Sequence, residues 1–191
     1  MKVFFFGGTF DPPHKGHELI VKTILPMCEK LILLPVKHSP GKSNQPLASD
    51  KHRLNMLKIL FENNKIEIDD FDLKAGNPNY TYLTVTYLKK KYINSEISMI
   101  IGYDQFKNLK NWKNCETIFK NVNIICFNRN NKEDSFDNYM FKRKINYIKD
   151  FKIDISSTEI RNELSNNNWR MIKDSMNPIL VKYIKENNLY V

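Results

Sequence analysis

Val3-Phe4-Phe5-Phe6 is an unbroken apolar run, stopped by Gly7-Gly8. A strand with one wet face alternates apolar and polar residues, so a short run without alternation predicts a strand covered on both faces. Pro12-Pro13 delays any helix until about His14, after which Leu19, Ile20, Thr23 and Ile24 recur at helical spacing. Leu31 to Leu34 repeats the buried-strand pattern and is closed by Pro35. Strand, glycine turn, helix and strand are thus complete within the span of one βαβ unit.

The same alternation runs on. Helices are predicted over Asp50–Phe61, Tyr80–Tyr92, Cys115–Phe119, Ser157–Leu164 and Pro178–Glu186, and over Asn138–Ile148. Strands are predicted over Ile66–Ile68, Glu96–Ile101, Val122–Phe127 and Phe151–Ile155, with a polar loop over Asn130–Ser135. Strands alternating with helices imply an α/β fold: a Rossmann-like, doubly wound parallel sheet with helices on both faces. A small helical segment from about Ser156 closes it, and residues 1–191 are expected to form one domain. Ligands of such sheets bind beyond the carboxyl ends of the strands. Gly7–His17, Pro35–Lys42, Gly102–Asp104, Phe127–Arg129 and Ser156–Arg161 are therefore expected to converge on one site.

Composition narrows the function. A chain of 191 residues with 41% hydrophobic and 27% charged residues is ordinary for a soluble globular protein and excludes disorder over most of its length. No apolar run approaches the ~18 residues of a transmembrane helix. Met1 to Gly8 reads straight into a strand and a turn, without a leader pattern, so the expected location is the cytoplasm. Thirty basic residues against 21 acidic give a net charge of +9, which favours anionic partners. The lysines are scattered, with Lys89-Lys90-Lys91 the only tight run, so phosphorylated small molecules are expected rather than nucleic acid or a membrane surface. Three cysteines without a CxxC pair, and four histidines of which two share one motif, give no structural zinc pattern. Cys126, flanked by Ile124, Ile125 and Phe127, is expected to be a buried thiol.

Gly7-Gly8-Thr9-Phe10-Asp11-Pro12-Pro13-His14-Lys15-Gly16-His17 carries the chemistry. It is neither the dinucleotide GxGxxG fingerprint nor a P-loop. Its glycines let the backbone approach a ligand closely. His14 and His17, three apart at a helix start, share one side of the first turn, where helix N–H groups favour phosphate oxygens. Ser156-Ser157-Thr158-Glu159 has capping-box spacing, and Arg161 lies one turn further in; the stretch is either a well-made helix start or a second phosphate site. Asp104, after Gly102, is an N-cap or a ligand contact. Trp112 sits among Lys110, Asn111, Lys113 and Asn114 without apolar periodicity, the pattern of an exposed stacking platform; Trp169 is expected to pack.

Gly7 to His17 resembles the GG-x-FDP-x-H-x-GH signature of the HxGH nucleotidyltransferases, most closely the bacterial-type nicotinate mononucleotide adenylyltransferases. The resemblance runs nearly end to end: DKHRLNML at Asp50–Leu57, PNYTYLT at Pro78–Thr84, IIGYD at Ile100–Asp104, the tryptophan segment from Trp112, ISSTEIR at Ile155–Arg161 and the closing helix from Pro178 to Tyr190. It implies ATP contacts at Gly7, Gly8, Thr9, Phe10, His14, His17, Gly102, Asp104, Ser156, Ser157, Thr158 and Arg161, with His14, His17 and Arg161 catalytic. It further implies nicotinate mononucleotide contacts at Lys42, Thr84, Asp104 and Trp112, with Mg²⁺ held mainly by the ATP phosphates. The family's histidine–lysine pair after the second strand is reduced here to Lys42, and its later R-P-G becomes Arg129-Asn130-Asn131.

The implied reaction is transfer of AMP from ATP to nicotinate mononucleotide. An already ionised phosphate attacks, so alignment and charge stabilisation carry the catalysis. Adenylyl transfer to nicotinamide mononucleotide or phosphopantetheine is the alternative within the same chemistry. A nucleotide-binding regulator, or a basic nucleic-acid-binding protein, is the alternative outside it.

Overall fold

The computed structural model describes residues 1–37, 45–75, 79–128, 145–151 and 154–191. Six strands, β1 (Lys2–Gly8), β2 (Lys30–Pro35), β3 (Ile66–Ile68), β4 (Glu96–Gly102), β5 (Asn123–Phe127) and β6 (Ile145–Ile148), form one sheet in the order β3-β2-β1-β4-β5-β6. Every pairing is parallel. That is the doubly wound order, in which the chain leaves β1 to one side and returns at β4 on the other. The Rossmann-like class read from the alternation is the fold observed.

The two-residue period of a strand splits the aromatic run of β1 between two cores. Val3 and Phe5 join Ile32, Leu34, Ile97, Met99 and Ile101 under α4 (Thr81–Lys91) and α6 (Cys115–Asn121). Phe4 and Phe6 join Leu31, Leu33, Ile100 and Ile125 under α1 (Lys15–Ile24) and α2 (Asp50–Leu60). A third cluster lies away from the sheet, where Met56 of α2 meets Ile160 and Leu164 of α7 (Ser157–Ser165), and Leu180 and Ile184 of α8 (Pro178–Glu186). Two single-turn helices, α3 (Phe71–Lys74) and α5 (Tyr103–Phe106), lie in connections that carry no helical periodicity in the sequence.

The last strand is displaced from its predicted position. Residues 145–148, expected to end a helix, pair with Ile124–Phe127 as β6, whereas Phe151, Asp154 and Ile155, expected to be a strand, are irregular. Ile145, Ile148 and Phe151 recur every third residue, which mimics a helix face, and the pairing offered by β5 decides the matter. Asp150 then turns in the left-handed region at φ 58°, so Phe151 swings back onto Phe127 with ring centroids 4.5 Å apart. Asn130–Ser135 and the first part of the predicted helix, residues 138–144, lie outside the described residues.

Candidate active site

The carboxyl ends of β1 and β4 lie side by side where the strand order reverses. Gly7 and Gly102 near those ends are exposed, and a Cβ built on either meets nothing within 4 Å. These two positions floor an open crevice at the point where such sheets bind ligands. Gly8 differs, because a Cβ there would stand 3.0 Å from the Phe10 ring.

The chain leaves β1 through Thr9 and turns at Phe10, which has φ 49° and is 2% exposed. Its ring packs beneath, 5.5 Å from Phe6 and 5.0 Å from His17. The Phe10 side chain is therefore a wedge under His17, so that the nucleotide contact expected at this residue falls to its backbone. His14 caps α1, its Nδ1 accepting the Gly16 N–H at 3.1 Å, while the Nδ1 of His17 accepts the His14 N–H at 3.2 Å. This is a capping box in which both side chains are imidazoles. A backbone amide only donates, so each Nδ1 is an acceptor and each neutral ring carries its proton on Nε2. The ring centroids are 3.9 Å apart.

A second helix N-terminus closes on the same turn. Ser156 caps α7 by accepting the Glu159 N–H at 3.2 Å, and the Ser157 hydroxyl donates to the Pro12 carbonyl at 2.9 Å. Arg161 donates through Nη1 to the Asp11 carbonyl at 2.6 Å and through Nη2 to the Thr158 hydroxyl at 3.3 Å. Asp11 itself is 1% exposed. Its carboxylate accepts the N–H groups of Leu47 and Ala48 and the Tyr190 hydroxyl, with Arg161 Nη1 3.8 Å from Oδ2.

Gly102 precedes α5, and Asp104 in its first turn is exposed. Burial, reinforced by the negative charge of Asp104, pushes the Cys126 thiol up to about 12 and leaves it inert. Thr84, expected to meet substrate directly, is 2% exposed and its hydroxyl donates to the Asp72 carboxylate at 2.7 Å. Burial raises the pKa of Asp72 to about 6 against the pull of its Thr84 donor, with the charge of Asp69 adding to the rise. Trp112 is half-buried against the first core rather than fully presented as a platform. Lys42 and Arg129 lie outside the described residues.

The chain matches the cytidylyltransferase-like family over residues 5–163. Across its whole length it is 36% identical to a "probable nicotinate-nucleotide adenylyltransferase" of Borrelia garinii, covering 95% of that protein. It is 33% identical to one of Flavobacterium johnsoniae, covering 99% of it. Its fold resembles that of Plasmodium falciparum nicotinic acid mononucleotide adenylyltransferase complexed with NaAD, with a TM-score of 0.77 at 24% identity over 99% of this chain and 97% of that one. The chain belongs to the cytidylyltransferase-like family. Within it, the chain stands among the nicotinate-nucleotide adenylyltransferases and is a nucleotidyltransferase by kind.

The span shared with the cytidylyltransferase-like family holds His14, His17, Asp104 and Arg161. Sequence reasoning left out Arg53, which is 0% exposed and bridges the site from below. Its Nη1 donates to the carbonyls of Thr9 and Val36, both at 2.7 Å, and its Nη2 to Asp50 at 2.6 Å. The signal was present: Arg53, Met56, Leu57 and Leu60 share one helical stripe, and a cation on an apolar stripe marks a buried polar duty. Among the described residues, no three His, Cys, Asp or Glu side chains gather as a cation site, and the Asp11 carboxylate is already filled with donors. The described side chains therefore assemble no site for a resident metal. No helix of the described residues is long and apolar enough to cross a membrane.

Proposed function

We propose that this protein transfers AMP from ATP to nicotinate mononucleotide, giving deamido-NAD and pyrophosphate. One observation carries the proposal: the N-terminus of α7 is hydrogen-bonded to the Asp11-Pro12 turn that leads into the two-histidine N-terminus of α1, on the segment that follows the open glycines of β1. Two helix N-termini and a guanidinium at one crevice form a triphosphate site.

The mononucleotide phosphate, ionised at neutral pH, attacks the α-phosphorus, the bond to the bridging oxygen breaks, and pyrophosphate leaves with the electron pair. No nucleophilic side chain and no strong base enter. The Nε2–H groups of His14 and His17 are donors for oxygens that gain charge in the transition state. Ser156, Ser157, Thr158 and the α7 amides take the pyrophosphate end together with Arg161, and Gly7, Gly8, Thr9, Gly102 and Asp104 line the nucleoside side. Held by the ATP phosphates rather than by side chains, Mg²⁺ would supply shielding of their charge.

The acceptor's ring is assigned to the mouth between α4 and Trp112, with Asp104 toward its ribose. Tyr80, the N-cap of α4, makes no side-chain cap bond, so the first-turn amides of that helix suit a carboxylate better than an amide. Thr84 supports that turn from inside. We further propose that residues 1–191 act as one unit and that the enzyme works in the cytoplasm.

The test is purified protein with ATP, Mg²⁺ and either nicotinate or nicotinamide mononucleotide in parallel, with the dinucleotides resolved chromatographically. Faster turnover of the nicotinate form is expected. Faster turnover of the nicotinamide form overturns the acceptor assignment, and no dinucleotide from either overturns the function.

A further inference from the structure

The bond between Tyr190 and Asp11 joins residues 179 positions apart, at 2.8 Å. Asp11 opens the segment Asp11-Pro12-Pro13-His14, all four buried, and the two prolines fix φ at consecutive positions. Displacement of Asp11 therefore passes to the His14 ring with little chance of being absorbed on the way. The backbone of this segment is held by α7, through Arg161 to the Asp11 carbonyl and Ser157 to the Pro12 carbonyl. Both of those donors belong to the helix assigned above to phosphate. The carboxylate side of Asp11 takes its hydrogen bonds from the Leu47 and Ala48 amides and the Tyr190 hydroxyl, while Arg161 stands by as an ion-pair partner at 3.8 Å.

Tyr190 reaches that position at a local cost. Its φ is 66°, and Asn188 two residues earlier has φ 48°. A bulky residue in the left-handed region is a true outlier and persists only where its surroundings over-determine it. Burial, together with the adjacent Asp11 charge, raises its pKa, so the phenol stays a donor throughout the working range.

We propose that Tyr190 is a positioning residue for the histidine turn, acting through the Asp11 carboxylate to hold His14 in place by a hydrogen bond that no residue of the phosphate-binding helix α7 supplies. The proposal rests on the adenylyl-transfer reading for its kinetic consequence, but not for its structural one. When a triphosphate draws on Arg161 and Ser157, the turn keeps its anchor in Tyr190, and the geometry of the two imidazoles survives substrate binding.

The test is Tyr190→Phe, which keeps the ring and removes the hydroxyl, compared with wild type by melting temperature, steady-state kinetics and ¹⁵N resonances of the His14 and His17 rings. The expected result is a fall in kcat of about ten-fold with KM for the mononucleotide within two-fold, and displaced His14 and His17 ring resonances. Unmoved ring resonances overturn the proposal whatever the activity, and so does an unchanged kcat in an active enzyme. If wild type itself makes no dinucleotide, the adenylyl-transfer reading fails while the resonances still decide the positioning role. Should Tyr190→Phe melt far below wild type, Tyr190→His, whose ring retains a donor near the same place, is expected to restore part of the shift; failure to do so overturns the proposal.

Discussion

The Nδ1 of His17 accepts the backbone N–H of His14 at 3.2 Å, so the second histidine of the motif caps the residue that carries the first. His14 completes the exchange by accepting from Gly16 at 3.1 Å. The spacing of three is thereby doubly required: it places both rings on one side of the turn, and it closes the capping box. Capping occupies Nδ1 of each ring, and the chemistry proposed above falls to Nε2.

That division separates two roles that alanine would confuse. In His14→Asn or His17→Asn the amide oxygen stands where Nδ1 stood, so the cap survives while the Nε2 donor is lost. The melting temperature is expected to stay within about 2 °C of wild type, and kcat to fall about 10²- to 10³-fold. The alanine variants are expected to lose the same activity and a further ~1 kcal/mol of stability. Melting curves beside initial rates check both; an asparagine variant with near-normal kcat removes that histidine from the chemistry.

The glycine floor gives a contrast within one turn. Gly7→Ala and Gly102→Ala add a methyl group into open space, so their stability is expected to match wild type. Their methyl groups occupy the crevice, and KM for ATP is expected to rise at least about ten-fold if backbone approach to the ligand is what the glycines provide. Gly8→Ala instead drives a methyl group into the Phe10 ring, which Phe6 and His17 hold in place. It is expected to cost about 1–3 kcal/mol, read by calorimetry.

How much of this was visible in the sequence follows from what each signal depends on. The buried strands announce themselves because both of their faces are covered, and the histidine turn because its glycines, prolines and spacing are local. Phe10, Thr84 and Trp112 carry no such local sign. Whether an aromatic or a hydroxyl points inward depends on a left-handed φ at Phe10, a buried partner at Asp72 and a core neighbour at Trp112. The displaced last strand has the same origin, since only the offer of pairing by β5 distinguishes Ile145–Ile148 from a helix face. Arg53 was legible from its stripe, whereas Tyr190 became meaningful only when the fold brought it to Asp11.

Asp72 sets a pH dependence of stability with a definite sign. Its pKa is raised by burial from 3.8 to about 6, so the folded state binds its proton more tightly than the unfolded state does. The stabilising contribution of the protonated form is complete below pH ~4 and is lost as pH rises through about 6. Glu67 works in the opposite sense: burial pushes it up, but donors from Lys30, Lys91 and Tyr92 outweigh that and hold it near 2, a contribution present above 4.5 and lost toward pH 2. Asp72→Asn is expected to raise the melting temperature by several degrees at pH 8, corresponding to about 3 kcal/mol at most, and by nothing at pH 4. Equal shifts at the two pH values exclude an ionised, desolvated Asp72.

Arg53 tests whether the floor of the site is held by charge or by hydrogen bonds. Its guanidinium satisfies the carbonyls of Thr9 and Val36 in a place without solvent, whereas its carboxylate partner Asp50 is partly exposed. Removing the side chain strands the two carbonyls more than it strands the carboxylate, and each orphaned carbonyl costs about 1–3 kcal/mol. Arg53→Met is therefore expected to lose about 3 kcal/mol and to lower kcat, because Thr9 leads directly into the histidine turn. Arg53→Lys keeps the charge but lacks the fork that serves carbonyls and carboxylate together, and is expected to recover less than half of the loss. Full recovery by lysine, in melting temperature and in kcat, makes positive charge the operative property; recovery of neither assigns the role to the two hydrogen bonds that tie Thr9 to Val36.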